Sequence, residues 1–327
     1  MQEPTVVLTR CEEYERKKIA ECIQRHFELN GGVDKFVRRA DSVLIKPNFI
    51  SPRSARHATQ THPMVIIETA RLLKDYGAKP FVGDSPAWAN AQRCAEKLHL
   101  TEQLAKLGVP IRELDKPKKV KIGNDKTTVG ISSVALDADV IINVPKFKSH
   151  QQLVATFAVK NMFGTISGKA KAIWHYRKGG KKEDFCRLLI DIYKHLKPAL
   201  TIIDAVYAMD GPGPIKGRTR PLGYIISGTE PIALETVCSK LINLNPMELP
   251  MVVTAKQMNF GCSEFEKIKI TGDGFPEKSF TDFQLPKLIP LRFSLAHVCK
   301  SITKQILLLT KSTLQKGKEN DQKSAKV

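Results

Sequence analysis

The sequence predicts an α/β protein with a mostly parallel, twisted sheet and helices on both faces. Short apolar segments with strand character alternate with segments whose apolar residues recur at helical spacing. ADVIINVP (138–145) is apolar on both faces, which is typical of a central parallel strand covered by helices on each side. The 327 residues allow one large domain of this kind or two domains.

The elements can be placed along the chain from the residues that end them. Pro47 ends the first predicted strand, and Gly77 and Gly108 end the first two predicted helices. The predicted strands are SVLIKPN (42–48), KPFVGDSP (79–86), VPIREL, TTVGISSVAL, ADVIINVP (138–145), LTIIDAV (200–206), LGYIISG (222–228) and EKIKITGD (266–273). The predicted helices are 63–76, 90–107, LVATFAVKNMFG, 183–196 and two between 230 and 258.

The pattern changes beyond Gln284. Prolines at 286 and 290 precede the segment 291–311, in which Leu, Ile and Val recur every three or four residues among basic ones. We expect 1–284 to form the α/β domain, and 285–327 to form a basic amphipathic helix with a disordered tail. This helix either docks its leucine face on the domain or makes a weak contact with a membrane or another protein.

The net charge of +19 predicts anionic binding partners such as phosphorylated metabolites, nucleic acid or an anionic membrane. Two segments, 144–187 and 285–327, carry +15 of this charge. They lack interleaved aromatic residues, and the aromatic content is only 7%, which argues against nucleic-acid binding. No secretory signal and no membrane-spanning apolar segment is evident, so we expect a cytoplasmic protein.

The seven cysteines are scattered, without CxxC motifs or Cys/His pairs at metal-ligand spacing. We therefore expect reduced thiols and no iron–sulfur cluster.

Polar side chains stand at the carboxyl ends of several predicted strands, where ligands bind in parallel α/β sheets. In PKFKSH, an extended chain places Lys146, Lys148 and His150 on one side, where they could grip a phosphate or carboxylate. We expect Lys148 to be exposed, so that its removal costs little stability. The alternative is a solvated strand end without a ligand.

Further candidates lie at other strand ends. IKPN and THP supply Lys46, Asn48 and His62, with Thr61 as the expected N-cap of the helix that Pro63 begins. Three carboxylates, Asp84, Asp204 and Asp210, could hold Mg²⁺ or act as bases, although Asp84 could simply cap a helix. Asn161 lies within the apolar arc of the helix predicted for LVATFAVKNMFG, so its amide must bond either a ligand or a protein group.

The motifs VLIKPNF, THP, VGDSP, NVPKFKSH, VKNMFG, DAVYAMDGPGP and TGDG occur in this order and resemble domain-of-unknown-function family 362 over residues 43–274. The resemblance implies no single reaction. Many relatives are described as iron–sulfur proteins with ferredoxin-like cysteine runs, and this sequence has no such run. The matching positions are Lys46, Asn48, His62, Asp84, Lys146, Lys148, His150, Lys160, Asn161, Asp204 and Gly213.

We predict an enzyme of unassigned reaction that binds a small phosphorylated or carboxylated metabolite. Asp84, His150 and Asp204 are the catalytic candidates, and the other matching residues are expected to bind the substrate. The alternative is a non-catalytic module that binds an anion, a cofactor or a redox partner. A deep pocket would favour the enzyme, and a flat basic face would favour the module.

Overall fold

The computed structural model describes residues 3–87 and 89–292. The strands in this part of the chain are β1 (Thr5–Arg10), β2 (Ser42–Pro47), β3 (Lys79–Asp84), β4 (Ile111–Glu113), β5 (Pro117–Ile122), β6 (Thr127–Ser132), β7 (Val140–Val144), β8 (Lys146–His150), β9 (Val154–Thr156), β10 (Leu200–Asp210), β11 (Arg218–Gly228) and β12 (Lys269–Gly272). The α-helices are α1 (Arg16–Leu29), α2 (Pro63–Tyr76), α3 (Ala91–Lys97), α4 (Thr101–Lys106), α5 (Ser133–Leu136), α6 (Gly168–Lys178), α7 (Lys182–Leu196), α8 (Pro231–Leu241) and α9 (Pro250–Gln257). Short 3₁₀ helices cover Ala55–His57, Val159–Thr165, Pro246–Glu248 and Phe265–Lys267.

One large sheet organises the described residues, with the strand order β12-β1-β11-β10-β7-β2-β3-β4. The pairs from β10 through β7, β2 and β3 to β4 are parallel, as is β1 with β12, whereas β11 runs antiparallel to both of its neighbours. β8 follows β7 after Pro145 and pairs in parallel with β10 and antiparallel with β9. The predicted fold class is therefore confirmed.

Helices cover both faces of this sheet because alternate residues of its strands point to opposite sides. Val43 and Ile45 of β2 pack with the cluster formed by α1 to α4, whereas Leu44 packs with the cluster formed by α7 to α9. β7 lies inside the sheet between β10 and β2, as its apolar sequence predicted. In the described part, no helix is long and apolar enough to cross a membrane.

The helix predicted for LVATFAVKNMFG is wrong over its first half. Val154 has a φ of +68°, which an α-helix does not allow, and residues 154–156 pair with β8 instead. The second half forms the 3₁₀ helix Val159–Thr165. Pairing with a neighbouring strand thus prevailed over the helical spacing of the apolar residues.

Three further local predictions need correction. The helix predicted for 90–107 is divided into α3 and α4, because His99 between them has a φ of +55°. The basic turn before β6 contains β5, which forms a hairpin with β6. The N-cap of α2 is His62 rather than Thr61, whose hydroxyl instead donates to the carbonyl of Val144 at 2.7 Å.

Both ends of the described chain extend the domain beyond residues 43–274. β1 lies between β12 and β11 inside the sheet. Leu291 is buried, and the amide of Ile289 donates to the carbonyl of Gln151 at 2.9 Å. Packing on the domain thus continues past residue 284, and the helix predicted over 291–311 lies outside the described residues from 293 onward.

Candidate functional site

The carboxyl ends of the central parallel strands bring most of the predicted residues to one rim. Lys46 on β2 is directly opposite Asn143 on β7, and Asp204 on β10 is opposite Lys146 on β8. Asp84 ends β3, which is the other neighbour of β2. Parallel pairing explains this convergence, since all of these strands point the same way.

Lys46 and Asp84 form the first ion pair, with 2.7 Å between Nζ and Oδ1, and neither side chain is exposed. Both oxygens of Asp84 have further partners, because they accept the amides of Ser85 and Phe49 at 2.7 Å each. Gly164 packs so tightly over this pair that a Cβ atom there would overlap the Asp84 carboxylate. Both oxygens of the carboxylate are thus engaged in holding Lys46 and the surrounding loops.

Lys146 and Asp204 form the second ion pair, with Nζ and Oδ2 2.8 Å apart and both side chains buried. The hydroxyl of Tyr14 donates to Asp204 Oδ1 at 2.6 Å and accepts from Lys146 Nζ at 2.7 Å. The backbone amide of His62 donates to Asp204 Oδ2 at 2.8 Å, and its ring stacks on Tyr14 with 3.4 Å between centroids. Burial lowers the pKa of His62 to about 4, so its ring is neutral near pH 7.

Beside these pairs lies a narrow cavity of about 40 Å³, which we call the cationic cleft. Its polar lining residues are Asn48, Lys146, Lys148, His150, Thr156, Lys160 and Asn161, and its apolar ones include Phe157 and Pro214. The predicted shared side of Lys146, Lys148 and His150 is therefore observed, but Lys148 is only 3% exposed. The expectation of an exposed Lys148 was wrong because neighbouring loops cover this side of β8.

A chain of amides orients Lys148. Asn161 donates to Asn143 Oδ1 at 2.8 Å, Asn48 donates to Asn161 Oδ1 at 2.9 Å, and Lys148 donates to Asn48 Oδ1. Lys148 also donates to the carbonyl of Thr59 at 2.9 Å. In its ammonium form Lys148 has three donors, of which these contacts use two, so one N–H is left for a ligand.

Lys148, His150 and Lys160 differ from the paired lysines, because none of them forms an ion pair with a carboxylate of the described residues. Burial, followed by the charge of Lys160, lowers the pKa of Lys148 and of His150 well below their ordinary values. Burial also lowers the pKa of Lys160 to about 8. His150 Nδ1 accepts the amide of Gln152 at 3.1 Å, so its neutral ring carries the proton on Nε2 and serves as a donor.

The remaining predicted residues lie around the cleft rather than in it. Neither Asp84 nor Asp204 is among its lining residues. Gly213 packs its backbone against Ser149 with no room for a Cβ atom, and Pro214 after it forms part of the lining. Asp210 pairs with Arg218 at 3.1 Å.

Three residues that support the site were not singled out from the sequence. Tyr14 lies far from the predicted motifs, and Asn143 begins the motif NVPKFKSH but lies inside β7; the fold brings both to the rim. Glu235 on α8 accepts the amides of Ala158 and Val159 at 3.0 and 2.9 Å, and so holds the start of the 3₁₀ helix that carries Lys160. An acidic residue within the apolar face of a predicted helix, as in PIALETV, is the signal that could have pointed to Glu235.

The described residues provide no ligand set for a metal or an iron–sulfur cluster. Within residues 3–87 and 89–292, no group of three or more His, Cys, Asp or Glu side chains is arranged to hold a metal ion. The six cysteines in these ranges are not clustered in this way. The absence of an iron–sulfur cluster and the binding of Mg²⁺ both stay predictions.

Comparisons with known proteins agree with the motifs. A curated thylakoid-associated protein of Synechocystis sp. is 32% identical over 299 residues, which cover 88% of this chain and 93% of the relative. The lactate racemase apoprotein from Thermoanaerobacterium thermosaccharolyticum shares 14% identity and a TM-score of 0.47, with 74% of this chain and 58% of that chain covered. The model of the domain of unknown function DUF362 matches residues 43–240. This chain therefore belongs to the DUF362 family.

Proposed function

We propose that the cationic cleft binds the anionic group of a small phosphorylated or carboxylated metabolite, and that the protein is an enzyme acting on it. The observation that carries this proposal is the set of Lys148, His150 and Lys160, three buried or partly buried basic groups without a carboxylate partner among the described residues. Lys46 and Lys146 next to them each have an aspartate. Two lysines thus have a counter-charge within the protein, and this contrast supports an external anion as the partner of the other three basic groups.

The energetic argument rests on desolvation. An isolated charge in a protein interior is so costly that the group usually loses its charge instead, and this agrees with the lowered pKa values of Lys148 and His150. A bound anion would compensate the positive charge, and each charged hydrogen bond contributes about 1.5 to 3 kcal/mol. Anion binding should therefore also raise these pKa values and take up protons.

The size of the cleft limits the ligand. A cavity of about 40 Å³ has room for roughly three water-sized groups, since one water needs about 10 to 15 Å³ measured in this way. That space suits the three heavy atoms of a carboxylate group or the three terminal oxygens of a phosphate group. A metabolite larger than this would keep its remainder outside the cleft.

A concave cleft lined by titratable groups supports an enzyme over a flat binding module. We propose that His150 donates a hydrogen bond from Nε2, and that Asp84 and Asp204 position Lys46 and Lys146 rather than act as bases. The occupied oxygens of both carboxylates support these positioning roles. We also propose a cytoplasmic location, which cell fractionation would test.

The test is anion-dependent stability. Denaturation of the wild type is followed with sulfate, phosphate or acetate, against chloride at equal ionic strength, and compared with Lys148→Met and the exposed-lysine control Lys118→Met. We expect saturable stabilisation of the wild type and of Lys118→Met, and at least about tenfold weaker binding to Lys148→Met, equivalent to about 1.4 kcal/mol. Equal stabilisation of all three proteins would overturn the proposal.

A further inference from the structure

Lys160 stands apart from the other lysines of the rim. Lys46, Lys146 and Lys148 all donate hydrogen bonds to protein acceptors, and Lys171 donates to the carbonyl of Ser85. No described residue accepts a hydrogen bond from Lys160 or forms an ion pair with it, although its side chain lines the cationic cleft. The amine is held at a binding site without being engaged in the structure of that site.

The surroundings of Lys160 favour the neutral amine. The titratable groups that interact electrostatically with it are Lys148 and His150 on β8, Lys171 and His175 on α6, and Cys186 on α7. Four of these are bases, and burial is the main cause that lowers the pKa of Lys160 to about 8. At pH 7.5 about a quarter of such an amine is neutral, against about one part in a thousand of an ordinary lysine. A lysine whose amine is desolvated in this way is an activated nucleophile.

The neighbours of Lys160 also indicate what it would attack. In its ammonium form, which a bound anion favours, Lys148 has one free N–H; His150 has Nε2–H, and both residues line the same cleft. These donors suit a carboxylate. A ligand that fills the small cleft with its carboxylate has its next carbon close to the remaining lining residues, of which Lys160 is the one with a free amine.

We propose that Lys160 is a catalytic nucleophile that forms an imine with the carbonyl carbon of a small oxo acid, whose carboxylate is held by Lys148 and His150. This inference rests on the proposed function and adds a substrate class and a covalent step to it. The lysine nitrogen forms a bond to the carbonyl carbon, and the C–O π electrons move to the oxygen. The C–O bond then breaks, and the oxygen leaves as water with the two hydrogens that the amine lost.

The experiment traps the imine. Wild-type protein is incubated at pH 7.5 with glyoxylate and sodium cyanoborohydride, and the rate of modification of each lysine is measured by peptide mass spectrometry. Acetaldehyde replaces glyoxylate in a parallel series, because it offers a carbonyl without a carboxylate. Lys148→Met and the control Lys118→Met are treated in the same way.

We expect glyoxylate to modify Lys160 at least about tenfold faster than exposed lysines, given the difference in neutral fraction. Lys148→Met should lose this preference with glyoxylate but not with acetaldehyde, and Lys118→Met should behave as the wild type. Modification of Lys160 at the rate of exposed lysines would overturn the imine proposal. If the same samples still showed anion-dependent stability, the proposed anion site would stand without the covalent step. Equal rates in the wild type and Lys148→Met would also overturn it, because the carboxylate would then not be held by Lys148.

Discussion

Replacing Asp204 by asparagine tests whether the second ion pair, Lys146–Asp204, is charged and buried in solution. Asparagine has nearly the same shape, so the change removes the charge without leaving a cavity. It also turns one acceptor oxygen into a donor NH₂ group. If Oδ2 is replaced, this group faces the donors of Lys146 and His62; if Oδ1 is replaced, it faces the hydroxyl of Tyr14. The variant therefore leaves a buried ammonium without its counter-charge.

The magnitude follows from burial. The side chains of Lys146 and Asp204 are 1% and 0% exposed, so solvent cannot compensate the loss. Breaking a buried pair by removing one partner costs about 3 to 5 kcal/mol, whereas replacing both partners by apolar residues is often close to neutral. We expect Asp204→Asn to lose about 3 to 5 kcal/mol of the free energy of unfolding, and Lys146→Met in the same chain to restore much of it.

The assay is equilibrium unfolding in urea, followed by circular dichroism and by tryptophan fluorescence. Glu264→Gln is the control, because Glu264 pairs with Lys267 at 2.8 Å on the surface, where both side chains are more than half exposed. Its unfolding curve should almost superimpose on that of the wild type. A loss below about 1 kcal/mol for Asp204→Asn would refute the reasoning, since Lys146 would then be neutral or solvated.

Three further predictions concern pH, packing and the chain end. The affinity for sulfate, measured by calorimetry, should fall as pH rises through about 8, because Lys160 loses its charge there. The stability of the free protein should rise from about pH 8 to 10.4, because Lys160 binds a proton in the unfolded chain but not in the folded one over this range. A sulfate affinity that is equal at pH 7 and 9 would contradict this. Gly164→Ala should cost about 1 to 3 kcal/mol by overlap with the first ion pair, whereas Gly180→Ala, with open space around it, should cost much less in the same urea titration. Removal of 286–327 should lower the midpoint of thermal unfolding further than removal of 293–327 does, because it also strips the buried Leu291; equal midpoints for the two truncated proteins would contradict the packing described.

The sequence by itself determined the local elements and their common edge. β2 and α2 have the predicted bounds within a residue because Pro47 and Gly77 act through their own backbone geometry. The shared side of Lys146, Lys148 and His150 follows from the two-residue period of a strand, which needs no knowledge of its neighbours. The convergence on one rim follows equally simply from the parallel direction of the strands.

Only the tertiary structure decided what surrounds those residues. The period of a strand tells which side chains share a side, but whether that side is exposed depends on segments far away in sequence, here the loop with Thr59 and the 3₁₀ helix with Lys160. For the same reason the partners of Lys46 and Lys146 could not be assigned, since Asp84 and Asp204 are 38 and 58 residues distant. The absence of any such partner for Lys160 among the described residues is likewise a tertiary property. Charge balance at a buried site is set by contacts across the fold, and the order of residues along the chain does not contain it.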